Sequence, residues 1–205
     1  MSYKKLINEL IPEPGHFMVF TGKREQPRPE PRTDDKFLNM FKDPERAKEV
    51  YKIFAASHNN AVDLLEEAEL LLENSHFARS TALAIMSFEE LGKSQIAADF
   101  YTGILPEREY KKAFSGHKKT SFASRHATIG SHENVKYGLW LDDRIARELE
   151  TIRQKALYVA ENCELVQSFT QEDAEAIISK VNRHIDFISY AEMINERIGS
   201  KGLFR

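Results

Sequence analysis

The residues best suited to chemistry lie in residues 87–94, which read Ser-Phe-Glu-Glu-Leu-Gly-Lys-Ser. If this segment is helical, Lys93 lies three residues after Glu90 and four after Glu89, so one ammonium group can neutralise either carboxylate. Glu89 also falls on a stripe of small and apolar side chains, where burying a carboxylate is costly. A carboxylate in such surroundings has a perturbed pKa and can act as a general base, so Glu89, Glu90 and Lys93 are candidate catalytic residues.

A purely structural role for these residues is the alternative, because a Glu-Lys pair on a helix is commonly just a satisfied ion pair. Gly92 adds information, since glycine inside a helix costs about 1 kcal/mol relative to alanine. It indicates the close approach of another backbone or of a ligand. A crossing helix or a second subunit would explain the glycine equally well.

A second candidate region follows at residues 110–126, where basic and aromatic side chains alternate. Lysine and arginine can bind RNA phosphates while aromatic rings stack on bases, so Lys118, Lys119 and Arg125 are candidate RNA-binding residues. His117 is a fourth candidate catalytic residue, because histidine can exchange protons near neutral pH. The alternative is an ordinary solvated connection between helices.

Proline placement predicts how the chain is organised. Six of the seven prolines lie within residues 12–44, and Pro106 is the other, so two long stretches lack the strongest helix breaker. Residues 1–42 are predicted to form an irregular N-terminal arm, with a short extended piece at 17–20 and a polar loop at 23–32. Residues 43–205 are predicted to form one helical domain.

Four long helices are predicted within that domain. The first begins with Asp43 as cap and Pro44 in the first turn, and its apolar stripe includes His58, which we expect in the core. The second, over 76–101, is apolar almost all round and should occupy the centre. A short amphipathic helix near 107–114 and a loop-like region at 116–138 precede a third long helix over 141–168. The fourth opens with a capping box at Thr170 and ends near Gly199. The predicted fold class is therefore all-α, an up-and-down bundle of four long helices plus a short extra helix and the irregular arm.

Composition narrows the classes of protein. A chain of 205 residues with 41% hydrophobic content can bury one sizeable core, and a net charge of −3 neither requires nucleic acid as a partner nor excludes a local basic patch. The single cysteine, Cys163, excludes an intramolecular disulfide, and the first residues lack the apolar run of a signal peptide, so we expect a cytoplasmic protein with no membrane partner. The histidines lack paired metal-ligand spacing and no phosphate-binding glycine loop is present, so neither metal nor cofactor is expected.

Three segments carry a resemblance to a known family: residues 82–93 ending in Phe-Glu-Glu-Leu-Gly-Lys, residues 114–119 containing His-Lys-Lys, and residues 153–159. In this order and spacing they resemble the AbiV family of bacterial abortive-infection proteins, a branch of the HEPN superfamily. The resemblance extends over about residues 45–198. By position, Glu89, Glu90 and Lys93 match the family's helix motif, while His117 and Lys118 match its following basic motif.

The resemblance implies a HEPN-like bundle that forms a homodimer and stops phage multiplication by shutting down host translation through RNA cleavage. RNA and a phage-encoded activator protein are the further partners that it implies. One departure concerns the Arg and His that catalytic HEPN proteins carry near the start of the last helix, separated by four to six residues. Here that helix has adjacent Arg183 and His184, whereas Arg125 and His132 have the spacing but lie in the loop-like region.

Two functions therefore remain open at the level of sequence. The first is an endoribonuclease in which Glu89, Glu90, Lys93 and His117 perform the reaction. The second is a non-catalytic helical protein that uses the same polar residues to bind a phage or ribosomal partner.

Overall fold

The computed structural model describes residues 3–11, 13, 43–103, 105–116, 119–123, 143–158 and 169–195. All regular secondary structure within these ranges is α-helical, which confirms the predicted all-α class. The helices are α1 (Tyr3–Leu10), α2 (Pro44–Glu73), α3 (Phe77–Tyr101), α4 (Glu107–Ser115), α5 (Lys119–Ala123), α6 (Asp143–Leu157) and α7 (Gln171–Asn195). Among these described helices, none is long and apolar enough to cross a membrane.

The predicted start of α2 is confirmed. The Asp43 carboxylate accepts hydrogen bonds from the backbone N–H groups of Glu45 at 3.0 Å and Arg46 at 3.4 Å, and Pro44 occupies the first turn. At the other end, Ser75 adopts a left-handed φ of 62°, which reverses the chain so that α3 returns along α2.

Helix α3 is the central element of the bundle, as its apolar composition predicts. It packs against α2, α4, α5, α6 and α7. Two buried serines on α3 bond directly to the backbone of α2: Ser80 donates to the Ala68 carbonyl at 2.7 Å, and Ser87 donates to the Ala61 carbonyl at 2.6 Å. Because these serines and their alanine partners are small, the two helices can approach closely while each buried hydroxyl keeps a partner.

Apolar side chains form two clusters that share α3. The larger cluster joins α1, α6 and α7 to the C-terminal half of α2 and the N-terminal half of α3, around Leu65, Ile85, Phe88 and Leu149. The smaller cluster joins the N-terminal half of α2 to the C-terminal half of α3, α4 and α5, around Phe54, Ile96, Tyr101 and Phe122. Residues 89–93 of α3 thus lie where one cluster gives way to the other.

The predicted capping box of α7 is present. The backbone N–H of Thr170 donates to the Asp173 carboxylate at 3.0 Å, and the N–H of Asp173 donates to the Thr170 hydroxyl at 3.3 Å. The short helix predicted near 107–114 is α4. Helix α6 accounts for the third long helix up to Leu157, and its predicted continuation over 159–168 lies outside the described residues.

Two expectations about irregular segments are wrong. Residues 119–123 of the predicted loop-like region form α5, and residues 3–10 of the predicted irregular arm form α1. Helix α1 buries Ile7 and Leu10 in the larger cluster, together with Ile11 just after it, and its N-terminal Tyr3 stacks on Phe169 with ring centroids 4.5 Å apart. The extended piece at 17–20 and the polar loop at 23–32 lie outside the described residues.

Two buried histidines link α2, α3 and α7. His58 is only 3% exposed, which confirms its predicted core position, and its Nε2 lies 3.2 Å from the Ser189 hydroxyl. His184 is 1% exposed; its Nδ1 donates to the Lys180 carbonyl at 2.8 Å, and its ring meets Phe88 edge-on. Burial lowers the pKa of each imidazole to about 4, so both rings are neutral near pH 7.

These histidines predict that acid destabilises the fold. As pH falls from 6.5 towards 4, the imidazoles of the unfolded chain bind protons, whereas the buried imidazoles of the folded chain stay neutral. The stability present above pH 6.5 is therefore progressively lost. Between pH 7 and pH 5 we expect a loss of roughly 2 kcal/mol per histidine. Urea unfolding at both pH values measures it.

The change His58→Gln should cost ~0.5–3 kcal/mol at pH 7. It should also remove about half of the pH-dependent loss, because one of the two buried imidazoles is gone. The exposed His76 provides the control, since His76→Gln should alter neither quantity. An equal pH-dependent loss of stability in the wild type and in His58→Gln would contradict a lowered pKa for the buried His58.

Candidate functional site

Helix α3 places Glu89, Glu90 and Lys93 together on a partly buried surface. Their side chains are 26%, 17% and 27% exposed, respectively. The Lys93 ammonium group donates a hydrogen bond to the Glu90 carboxylate. The ion pair predicted from the i, i+3 spacing is thus present, and it neutralises Glu90.

Glu89 lies against a different cation, Arg153 of α6. The Arg153 Nε is 3.4 Å from Oε1 of Glu89. The same guanidinium also donates from Nε at 3.0 Å and from Nη2 at 2.6 Å to Oε2 of Glu150, one helical turn earlier on α6. Arg153 therefore bridges carboxylates of two helices and ties α6 to the centre of α3.

The pKa of Glu89 is raised above its ordinary value. Burial is the largest cause; Arg153 opposes it, Glu150 adds to it, and Lys119 and Lys93 oppose it. Arg153 stays cationic, since its pKa is raised by Glu150 and Glu89 even though burial acts against this. The site thus combines a carboxyl group that holds its proton more readily than usual with a fixed positive charge.

Gly92 explains how the start of α5 lies directly against this surface. A Cβ atom at this position would lie 1.9 Å from the backbone carbonyl oxygen of Lys119, the first residue of α5. The close approach inferred from the glycine is therefore that of another backbone of the same chain. As a result, α5 begins directly on α3, and the charge of Lys119 acts on Glu89.

The structure thus brings four of the predicted site residues together: Glu89, Glu90, Lys93 and Lys119. The other predicted site residues, His117, Lys118 and Arg125, lie outside the described residues, as does His132. His117 and Lys118 immediately precede α5 in the chain.

Sequence reasoning missed Arg153 and Glu150 as members of the site. Arg153 begins the segment 153–159, one of the three that carry the family resemblance, so a signal for it was present. Its partner could not be identified, because Glu89 lies on another helix, far away in the chain. Lys93, which by spacing could serve either carboxylate, bonds to Glu90 while Arg153 serves Glu89.

The site's side chains suit proton transfer and phosphate binding. A carboxyl group with a raised pKa can exchange a proton, and arginine and lysine can neutralise charge on a phosphoryl group. Within the described ranges, no group of three or more histidine, cysteine, aspartate or glutamate side chains could hold a metal ion.

Comparison with known proteins identifies the family. The family model HEPN_AbiV, described as AbiV, matches residues 49–185, about two thirds of the chain. This chain belongs to the AbiV family. The match includes Glu89, Lys119 and Arg153, so the whole described site lies within the part that defines an AbiV protein. Searches of curated proteins and of solved structures found no significant match.

The packing of α5 on α3 in this AbiV protein generates a prediction for Gly92→Ala. Helix propensity alone would make alanine stabilising by about 0.5–1 kcal/mol. Here the added methyl group meets the Lys119 backbone, and displacing a packed backbone typically costs about 1–3 kcal/mol. We therefore expect a lower melting temperature than that of the wild type.

Hydrogen exchange should locate the effect of Gly92→Ala. Amide protection should fall in residues 119–123, because the added methyl group would displace the start of α5. It should fall least in α7. A variant that melts at or above the wild-type temperature, with unchanged exchange in α5, would show that α5 does not rest on α3 in this way.

Proposed function

We propose that this AbiV protein is a bacterial antiphage abortive-infection protein that blocks translation in the infected cell through a HEPN-type endoribonuclease activity. The observation that supports it is the convergence of three separate chain segments: Glu89 of α3 lies against Arg153 of α6 and within electrostatic reach of Lys119 of α5. A carboxylate can transfer the proton in RNA cleavage, and nearby cations can neutralise the charge on phosphorus.

The proposed reaction uses the RNA's own 2′-hydroxyl as nucleophile. A base removes the hydroxyl proton, the O2′–P bond forms, and the P–O5′ bond breaks as an acid protonates the departing oxygen. The products are a 2′,3′-cyclic phosphate and a 5′-hydroxyl end. Glu89 or His117 would take the proton, and Lys93, Lys118 or Arg153 would neutralise the pentacoordinate phosphorus.

Substrate binding is assigned to the segment that leads into α5. Lys118, Lys119 and Arg125 would hold RNA phosphates on either side of the scissile bond. Lys119 is the described member of this set, and its electrostatic effect on Glu89 supports a binding surface beside the proposed base. The raised pKa of Glu89 favours this role, because a stronger base accepts a proton more readily.

A second candidate function is a non-catalytic protein that binds a phage or ribosomal partner. One observation favours it: two cations of the candidate site already have carboxylate partners, Lys93 with Glu90 and Arg153 with Glu89 and Glu150. An ion-pair network of this kind can be purely structural, with no role beyond orienting the helices. Partly buried ion pairs commonly act in this way.

Three substitutions separate the two candidate functions. If the protein is a ribonuclease, Glu89→Gln, Lys93→Met and His117→Ala should each lower RNA cleavage ~100-fold or more while leaving the melting temperature nearly unchanged. The assay measures cleavage of total RNA by purified protein, with and without extract of infected cells, alongside thermal melts. Glu66→Gln is the matched control, because Glu66 is an exposed glutamate of α2.

A structural network gives a different pattern. Glu89→Gln and Lys93→Met would then lower the melting temperature together, because each leaves a partly buried charge without its partner. Cleavage that persists in all three variants, or that never appears even with infected-cell extract, would remove the catalytic assignment and favour the binding protein.

Assembly as a homodimer and activation by a phage-encoded protein are proposals that rest on the family. Gly92, which a second subunit could have explained, is covered by α5 of the same chain and therefore gives no support to a dimer. For a dimer, light scattering at micromolar concentration should give twice the chain mass of 23.6 kDa. A monomer mass would exclude an active site shared between subunits.

A further inference from the structure

A polar cavity of about 230 Å³ lies between α1 and α7, on elements that contribute nothing to the candidate functional site. Two cations of α7 hold a carboxylate there. Lys180 Nζ donates to Oε1 of Glu13 at 2.6 Å, and Arg183 Nη1 donates to Oε2 at 2.9 Å. Because the two donors bind different oxygens of one carboxylate, they form a two-cation clamp, defined by Lys180 and Arg183.

Both cations of the clamp belong to α7, and one of them is nearly buried. The Lys180 side chain is only 9% exposed, whereas those of Arg183 and Glu13 are about half exposed. The pKa of Glu13 is lowered: burial acts against this, but the hydrogen bonds and charges of Lys180 and Arg183 prevail. A nearly buried lysine needs an anion beside it, and the chain supplies one from its own Glu13.

Further polar side chains line the cavity, among them Lys4, whose ammonium group donates to Glu172 at 3.1 Å. Besides the clamp, the cavity is lined by Lys4, Asn8 and Ser179. Its charged groups are three cations, Lys4, Lys180 and Arg183, and three carboxylates, Glu13, Glu172 and Glu175, so removing Glu13 leaves one net positive charge. A singly charged phosphate presents four oxygens to such donors and would restore neutrality.

We propose that the clamp of Lys180 and Arg183 is a binding site for a phosphate group, and that Glu13 occupies it as a displaceable internal anion. The Glu13 carboxylate is tethered to the docked helix α1, so its effective concentration at the clamp is high and an external phosphate competes with it. Binding of phosphate therefore exchanges an anion of the chain for an anion of the ligand.

Isothermal titration with inorganic phosphate tests this proposal, at constant ionic strength maintained with sodium chloride. In Glu13→Gln the competing charge is absent, so phosphate should bind at least about tenfold more tightly than in the wild type. Phosphate should also raise the melting temperature of this variant more than an equal ionic strength of chloride does.

Two further variants make the result specific to the clamp. Glu9→Gln removes one negative charge from the exposed Lys5–Glu9 pair of α1, away from the clamp, and should bind phosphate as the wild type does. Glu13→Gln combined with Arg183→Gln should lose the gained affinity, and it should fold, since Arg183 is half exposed. Equal phosphate affinity in Glu13→Gln and Glu9→Gln, or affinity that survives Arg183→Gln, would overturn the proposal.

Discussion

The backbone contact between Gly92 and Lys119 is the constraint on which the candidate site depends. Helix α3 carries the carboxylates of Glu89 and Glu90, and Lys119 acts on Glu89 from the start of α5, which lies directly on the α3 backbone. A side chain at residue 92 would hold the two apart, because even a Cβ atom would lie 1.9 Å from the Lys119 carbonyl oxygen. The missing side chain therefore determines which charges can be neighbours, and the cost of glycine within a helix is offset by this packing.

Charge balance then determines how the neighbours pair. Glu89 and Glu150 belong to different helices and would repel each other if Arg153 were absent, since each contributes to the electrostatic environment of the other. With Arg153 bridging them, Lys93 is left to neutralise Glu90. The site is thus a unit of coupled ion pairs, in which the ionisation of Glu89 responds to residues of three helices.

Sequence patterns predicted the local features of this fold and missed the long-range ones. The Asp43 cap, the capping box at Thr170 and the buried stripe around His58 follow from spacings of three and four residues, which a helix fixes by itself. The pairing of Arg153 with Glu89 depends on how α6 packs, and no local spacing encodes that. Helix α1 was missed because Pro12 and Pro14 lie shortly after it and suggested an irregular segment, although Leu6, Ile7 and Leu10 have helical spacing.

Helix α7 connects the clamp of Lys180 and Arg183 to α3, the helix that carries Glu89. Its Lys180 side chain holds Glu13, while the Lys180 carbonyl accepts a hydrogen bond from Nδ1 of His184. Because that bond places the proton of the neutral imidazole on Nδ1, the ring orientation is fixed, and its edge contact with Phe88 is fixed with it. Phe88 precedes Glu89 on α3. A continuous series of contacts therefore runs from Glu13, which lies outside the AbiV match, to Phe88, the residue beside Glu89 on α3.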